Sequence, residues 1–224
     1  MDRVRREETE LRKTELKALQ AQINPHFLYN TLDAIVWLAE ENKSAEVVKM
    51  VTSLSDFFRT TLSKGHDYIT VKEERTHIES YLEIQQFRYQ DILDYEIRMN
   101  EEIYGYIIPK LTLQPLVENA LYHGIKNKRG KGKILITGEK QGDKIIFQVV
   151  DNGKGMTEEE LNNLRKKMAG TDTGNEEKGF GVSNVNQRIK YYYGDEYGVF
   201  FESKENEGTN ATIIIAAKNI QPPS

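Results

Sequence analysis

The sequence predicts two structural classes in series, α followed by α+β. An N-terminal helical hairpin forms a dimeric four-helix bundle, and an α/β sandwich follows it. Three observations predict this. Glu, Lys, Arg, Leu and Gln dominate as far as Gln22, and no glycine interrupts before Gly65, which favours helix. From about residue 93 apolar and polar residues alternate in short runs, the period of half-buried strands. Turn and cap signals then separate those runs from two further helical stretches.

The first stretch carries a thin apolar stripe. Val4, Leu11 and Ala18 repeat at heptad spacing, and Leu16, Leu19 and Ile23 follow three and four residues apart. So narrow a seam on a charged helix is that of a coiled coil needing a partner; the alternative is a solvated amphipathic helix on a monomer. The stripe continues through Leu28, Leu32, Ile35 and Leu38, and Pro25 should bend the helix beside His26. Val47, Val48, Val51, Leu54, Phe57 and Phe58 mark a second helix from about Ser44, a plausible N-cap, to Leu62. Gly65-His66-Asp67 breaks the pattern, and a third helix is expected over about 72–90.

In the second part, Tyr95–Met99, Ile134–Ile136 and Ile145–Val150 read as strands, the last two joined near Gly142-Asp143. A helix is expected over Pro109–Ile125. Thr157 and Glu160 form a capping box opening a helix to Met168. Another runs from Val182 to Tyr193 and ends at Gly194. Val199–Phe201 and Thr212–Ile215 pair across a turn at Asn206-Glu207-Gly208. Helices should cover one face of a mixed sheet. The Pro-Pro-Ser end is expected to fray.

Bulk properties exclude several classes. A net charge of −4 gives no general attraction for nucleic acid or anionic membrane. The chain has no cysteine, which removes disulfides, thiolate metal sites and a cysteine nucleophile. No apolar run approaches the roughly 20 residues of a membrane span, and no signal peptide is visible. The expectation is a soluble, cytoplasmic chain, or the cytoplasmic piece of a longer membrane protein.

Some residues stand out chemically. Asn119 and His123, spaced i and i+4, share one helix face. An asparagine carbonyl is a hard donor suited to Mg²⁺, and His123 or Lys126 could reach phosphate oxygens; taken alone, an asparagine such as Asn119 is more often a polar helix residue than a ligand. Asp151 ends a strand and enters Gly153-Lys154-Gly155. Its carboxylate could accept from a donor such as an adenine amino group, although Asp-Asn-Gly is also an ordinary turn. Gly179 and Gly181 precede a helix, where exposed amides can hold an anion; a lone Gly-x-Gly is usually just a loop. Residues 169–178, rich in Gly, Thr, Asn and Glu, look like a lid. Gly208-Thr209 is a weaker element. His66 and His77 read as surface residues.

Glu118-Asn119, Asp151-x-Gly-x-Gly155, Gly179-x-Gly181 and Gly208-Thr209 resemble, in order, the N, G1, G2 and G3 boxes of the GHKL superfamily of ATPases and kinases. Residues 21–30, Ala-Gln-Ile-Asn-Pro-His-Phe-Leu-Tyr-Asn, resemble the phosphoacceptor signature of LytS-like bacterial sensor histidine kinases, and residues 113–120 resemble that class's N box. The resemblance implies a coiled-coil signalling helix over 1–20, dimerisation and histidine phosphotransfer helices over 16–92, and a GHKL (Bergerat-type) ATP-binding sandwich over 93–224. It implies that His26 is phosphorylated from ATP, that Asn119 holds Mg²⁺, that Asp151 reads adenine, and that Gly179 and Gly181 border the phosphates. A response-regulator aspartate would take the phosphate, a homodimer would be the working unit, and membrane contact would come through a sensor part outside this chain. Two departures matter. Phe27 follows His26 where commoner classes carry an acidic base, and Asn30 can orient the imidazole without replacing that base. Pro115 stands four residues before Asn119, where gyrase-type ATPases place a water-activating glutamate. The alternatives are a GHKL ATPase doing conformational work and a non-catalytic dimerisation scaffold.

Overall fold

The computed structural model describes residues 25–61, 67–169 and 180–219. The expected coiled coil over 1–20, the break at Gly65-His66, Gly179 with most of the expected lid, and the terminal Pro-Pro-Ser lie outside the described residues. So does the chain ahead of Pro25, and with it the expected bend. The helical part contains α1 (Pro25–Glu40), α2 (Ser44–Thr61) and α3 (Val71–Arg88). Between α1 and α2 the backbone turns through Asn42 at φ 56°, a left-handed conformation that asparagine tolerates. Ser44 is the first residue inside α2 rather than its cap. Lys43 caps the helix with its carbonyl, which accepts the amide of Val47 at 3.0 Å. Thr70 and Glu73 form a capping box at the start of α3, with both reciprocal bonds made.

The sheet has five strands in the order β2-β4-β5-β7-β6. These are β2 (Leu93–Met99), β4 (Gly132–Gln141), β5 (Lys144–Asp151), β6 (Gly198–Lys204) and β7 (Gly208–Ala216). β2 pairs parallel with β4, and the other pairs are antiparallel. Strict alternation puts Ile145, Phe147 and Val149 on the buried face of β5, where Val149 stands opposite Ile136 and Ala211. Helices α5 (Glu158–Met168) and α6 (Phe180–Tyr193) pack over this sheet. The expected capping box of Thr157 and Glu160 opens α5. Past α6, Gly194 adopts φ +113°.

The expected helix over Pro109–Ile125 is shorter and broken. Ile107–Pro109 is a strand, β3, paired antiparallel with β1 (Tyr68–Thr70). Only Gln114–Asn119 is α-helical (α4), and Ala120–Gly124 follows as a π turn. Leu111 sits at φ 57°, incompatible with a continuous helix. Its segment is clamped from outside. The buried carboxylate of Glu74 on α3 accepts the amides of Leu111 at 3.0 Å and Leu113 at 2.7 Å. Arg188 on α6 donates to the carbonyls of Lys110 and Leu111.

His77 is also a correction: it is fully buried. α3 is covered on two sides, which its charged composition conceals. One apolar cluster runs from Phe27 and Phe57 in the hairpin, through Ile78, Tyr81 and Ile84 of α3, to the inner face of the sheet.

Candidate functional site

A cavity of roughly 390 Å³ opens between the π turn, the end of β5, α5 and β7, a size suited to a small organic ligand. Five residues singled out in the sequence line it together: Asn119, His123, Asp151, Gly155 and Thr209. They come from three separate stretches of chain. Asn119 closes α4, and the π turn carries His123 onto the same wall. A π turn of this kind re-aims side chains relative to a regular helix and is frequent at functional sites.

Asp151 follows Val149 on the buried face of β5, so its carboxyl points to the cavity floor. Oδ1 accepts the Gly153 amide at 2.8 Å. Burial pushes this carboxyl up to about 6, against the pull of the Gly153 and Thr209 amides and of Lys128. A buried carboxylate that lines the cavity can accept from a ligand N–H.

The glycines explain how backbone comes so close. Gly208 lies at φ +115°, and a Cβ there would collide with the carbonyl oxygen of Asp151. Gly153 packs directly on the backbone of Gly124. Gly155 lies at φ +67° beside the carbonyl of Lys204. The loop is pinned by Lys154 N–H to the Gly124 carbonyl at 3.1 Å and by Met156 N–H to Ser203 Oγ at 2.9 Å.

Other predicted residues lie elsewhere. Lys126 does not line the cavity. Its Nζ donates to Tyr89 Oη at 3.0 Å and sits over the rings of Tyr89 and Tyr122, a cation–π arrangement that turns it away from the site. Gly181 lies in the first turn of α6 facing Pro115. His26 is exposed near the start of α1 and is not among the cavity residues. Asn30 is half-buried; its Nδ2 has no hydrogen-bond partner among the described residues, and it lines a groove with Trp37, Phe87 and Arg88.

The sequence reading missed Gly124 and the α5 wall formed by Glu160, Asn163, Leu164 and Lys167. The α5 set was recoverable, because spacings of three, one and three fall on one helix face. Glu118 points away from the cavity toward α3. Burial raises its carboxyl, opposed by the hydrogen bond from the Gln114 amide.

Set beside known proteins, residues 14–93 match the family described as histidine kinase. Residues 109–219 match the family described as histidine kinase-, DNA gyrase B-, and HSP90-like ATPase. The chain is 35% identical over 209 residues to YwpD of Bacillus subtilis, covering 91% of this chain and 70% of that one. It belongs to the histidine kinase family. Sensor histidine kinase YesM of Bacillus subtilis is 38% identical over 93% of this chain. Sensor protein LytS of Bacillus anthracis is 34% identical over 93% of it. The chain spans about a third of the length of these two relatives, 34% and 35%.

Solved structures agree on the fold. The catalytic domain of histidine kinase ThkA superposes with a TM-score of 0.51 at 19% identity, covering 69% of this chain and 97% of that one. The histidine kinase domain from Erythrobacter litoralis EL346 gives 0.50 at 14% identity, covering 92% and 95%. The sandwich therefore has the fold of these histidine kinase domains. Among the described residues no helix is long and apolar enough to cross a membrane.

Proposed function

We propose that this chain is the catalytic core of a sensor histidine kinase, which phosphorylates His26 from ATP and passes the phosphate to an aspartate on a response regulator. The observation that carries the reading is the convergence of Asn119, His123, Asp151, Gly155 and Thr209 on one cavity, in a histidine kinase family chain with an exposed His26 on its first helix. Asp151 would accept the adenine amino group at the cavity floor. His123 and Lys167 border the space available to phosphates. The family resemblance assigns Gly179 and Gly181 to the phosphates as well.

Magnesium fits the residues present. Among the described residues no three His, Cys, Asp or Glu side chains are grouped to hold a metal ion by themselves. A single neutral oxygen donor, Asn119, suits an ion that arrives already bound to phosphates. When bound, magnesium would neutralise phosphate charge.

In the transfer, a His26 nitrogen attacks the γ-phosphorus, a P–N bond forms, the bond to the bridging oxygen breaks, and ADP leaves. The chain's contribution is positioning and exclusion of water. His26 lies outside the cavity lining, so the hairpin of this subunit or of a second one must bring an imidazole to the cavity mouth.

Dimerisation supports that geometry. Tyr29, Leu32 and Val36, spaced three and four apart, are exposed on α1, and Val48 and Val51 are exposed apolar residues of α2. Val48 is 65% exposed, which an isolated bundle helix does not require.

Incubation with γ-labelled ATP tests the reading. The label should be acid-labile and base-stable, absent in His26→Gln and absent in Asn119→Ala while the dimer persists. Steady phosphate release with no labelled protein would favour the ATPase alternative.

A further inference from the structure

A buried relay joins the helical hairpin to the N box, and its central member has no role in the scheme above. Phe27, the residue after His26, lies against the ring of Phe57 at 4.9 Å and stacks on Tyr81 at 5.4 Å. Phe57 stacks on the imidazole of His77 at 4.6 Å, with the planes 20° apart. His77 Nε2 lies 2.7 Å from Gln114 Oε1. Gln114 Nε2 donates to Glu118 Oε1 at 2.8 Å. Glu118 precedes Asn119.

The chemistry gives the relay a direction. Gln114 spends its amide N–H on Glu118, so its carbonyl oxygen must accept. His77 therefore carries its proton on Nε2 and donates to Gln114. Nδ1 of His77 is buried with no hydrogen-bond partner among the described residues, which is tolerable only for an unprotonated nitrogen. A fully buried histidine normally satisfies both nitrogens. This one is held by a face, against Phe57, and by a single point, at Gln114.

We propose that His77 is a positioning residue for phosphoryl transfer: through Gln114 it fixes the Glu118 side chain and the last turn of α4, and so the aim of Asn119, in register with the packing of the α1–α2 hairpin. This rests on the proposed kinase reading. Any movement of Phe27 and Phe57 displaces the ring, and the ring hands that displacement to the N box through two hydrogen bonds. The residue next to the phosphoacceptor and the candidate magnesium ligand are then ends of one packed path.

Two substitutions separate stacking from donation. His77→Phe keeps the ring and loses the donor, and His77→Gln keeps a donor and loses the ring. Gln114→Met breaks the relay from its half-exposed end without touching the aromatic stack. In single-turnover autophosphorylation at saturating ATP, His77→Phe and Gln114→Met should slow transfer about tenfold, roughly the effect of one missing positioning hydrogen bond. ATP affinity should stay within about twofold, and His77→Gln should recover most of the rate. Amide hydrogen exchange over residues 114–120 should quicken in His77→Phe and Gln114→Met and return toward normal in His77→Gln. Wild-type transfer rates in His77→Phe and Gln114→Met would overturn the proposal. So would unchanged exchange over residues 114–120 in those two variants. Should the wild-type protein accept no label at all, the kinase reading fails, and the exchange measurement alone decides the role of His77.

Discussion

A β-carbon added to Gly124 would stand 2.5 Å from Oδ1 of Asp151. Gly124 sits at φ −85°, where alanine is at ease, so backbone strain plays no part. The glycine is there to leave room for a carboxylate. Gly124→Ala should therefore displace Asp151 and weaken binding of adenine nucleotides by about tenfold or more, the scale of one good hydrogen bond forfeited in a buried site. Titration calorimetry checks this, with a near-normal melting temperature as the control.

Nucleotide affinity should fall in mild acid. The Asp151 carboxyl is raised to about 6 in the free protein, and a donor N–H on the ligand favours its ionised form, so binding lowers that value. The complex then loses affinity as pH drops through about 6. Between pH 7 and pH 5 the loss should be about tenfold, with proton release on binding near pH 6. Asp151→Asn should bind weakly with a flat profile; an equally steep profile in that variant would assign the titration to another group.

Glu74 should prove a stability residue. Its buried carboxylate holds two amides of the segment leading into α4. Glu74→Ala strands both donors in the interior, at a cost of about 3 kcal/mol. Chemical denaturation should report that loss. Glu74→Gln retains one acceptor oxygen and should cost less.

Leu32→Glu places a charge within the exposed stripe of α1. Sedimentation should show a shift from dimer to monomer, with the nucleotide site intact, because Leu32 is remote from the cavity lining. A persistent dimer would relocate the subunit interface to another surface.

Much of the fold was legible because its determinants are local. The capping box of Thr157 and Glu160 lies within one turn, and the alternation in Ile145–Val150 is a property of one strand. The same alternation carried forward by two residues places Asp151 on the buried face, where it lines the cavity. The stretch Pro109–Leu113 was misread as helix because what decides it is distant in sequence. Glu74 and Arg188 fix its backbone from 37 to 78 residues away. His77 was misread as a surface residue because α3 carries charges on a face that is nonetheless covered. Glu74 and His77 are compatible with burial only through partners on α4 and the segment before it. Gly124 escaped notice because its value lies in an absent side chain, visible only once Asp151 is placed beside it.

The hairpin and the sandwich share α3 as a common wall, with one apolar cluster on both sides of it. A polypeptide severed just before β2 would bare that wall in water on one piece and leave Leu93 and Ile134 unroofed on the other. The hairpin and the sheet are therefore one unit for any protein engineer, to be kept together when either is redesigned.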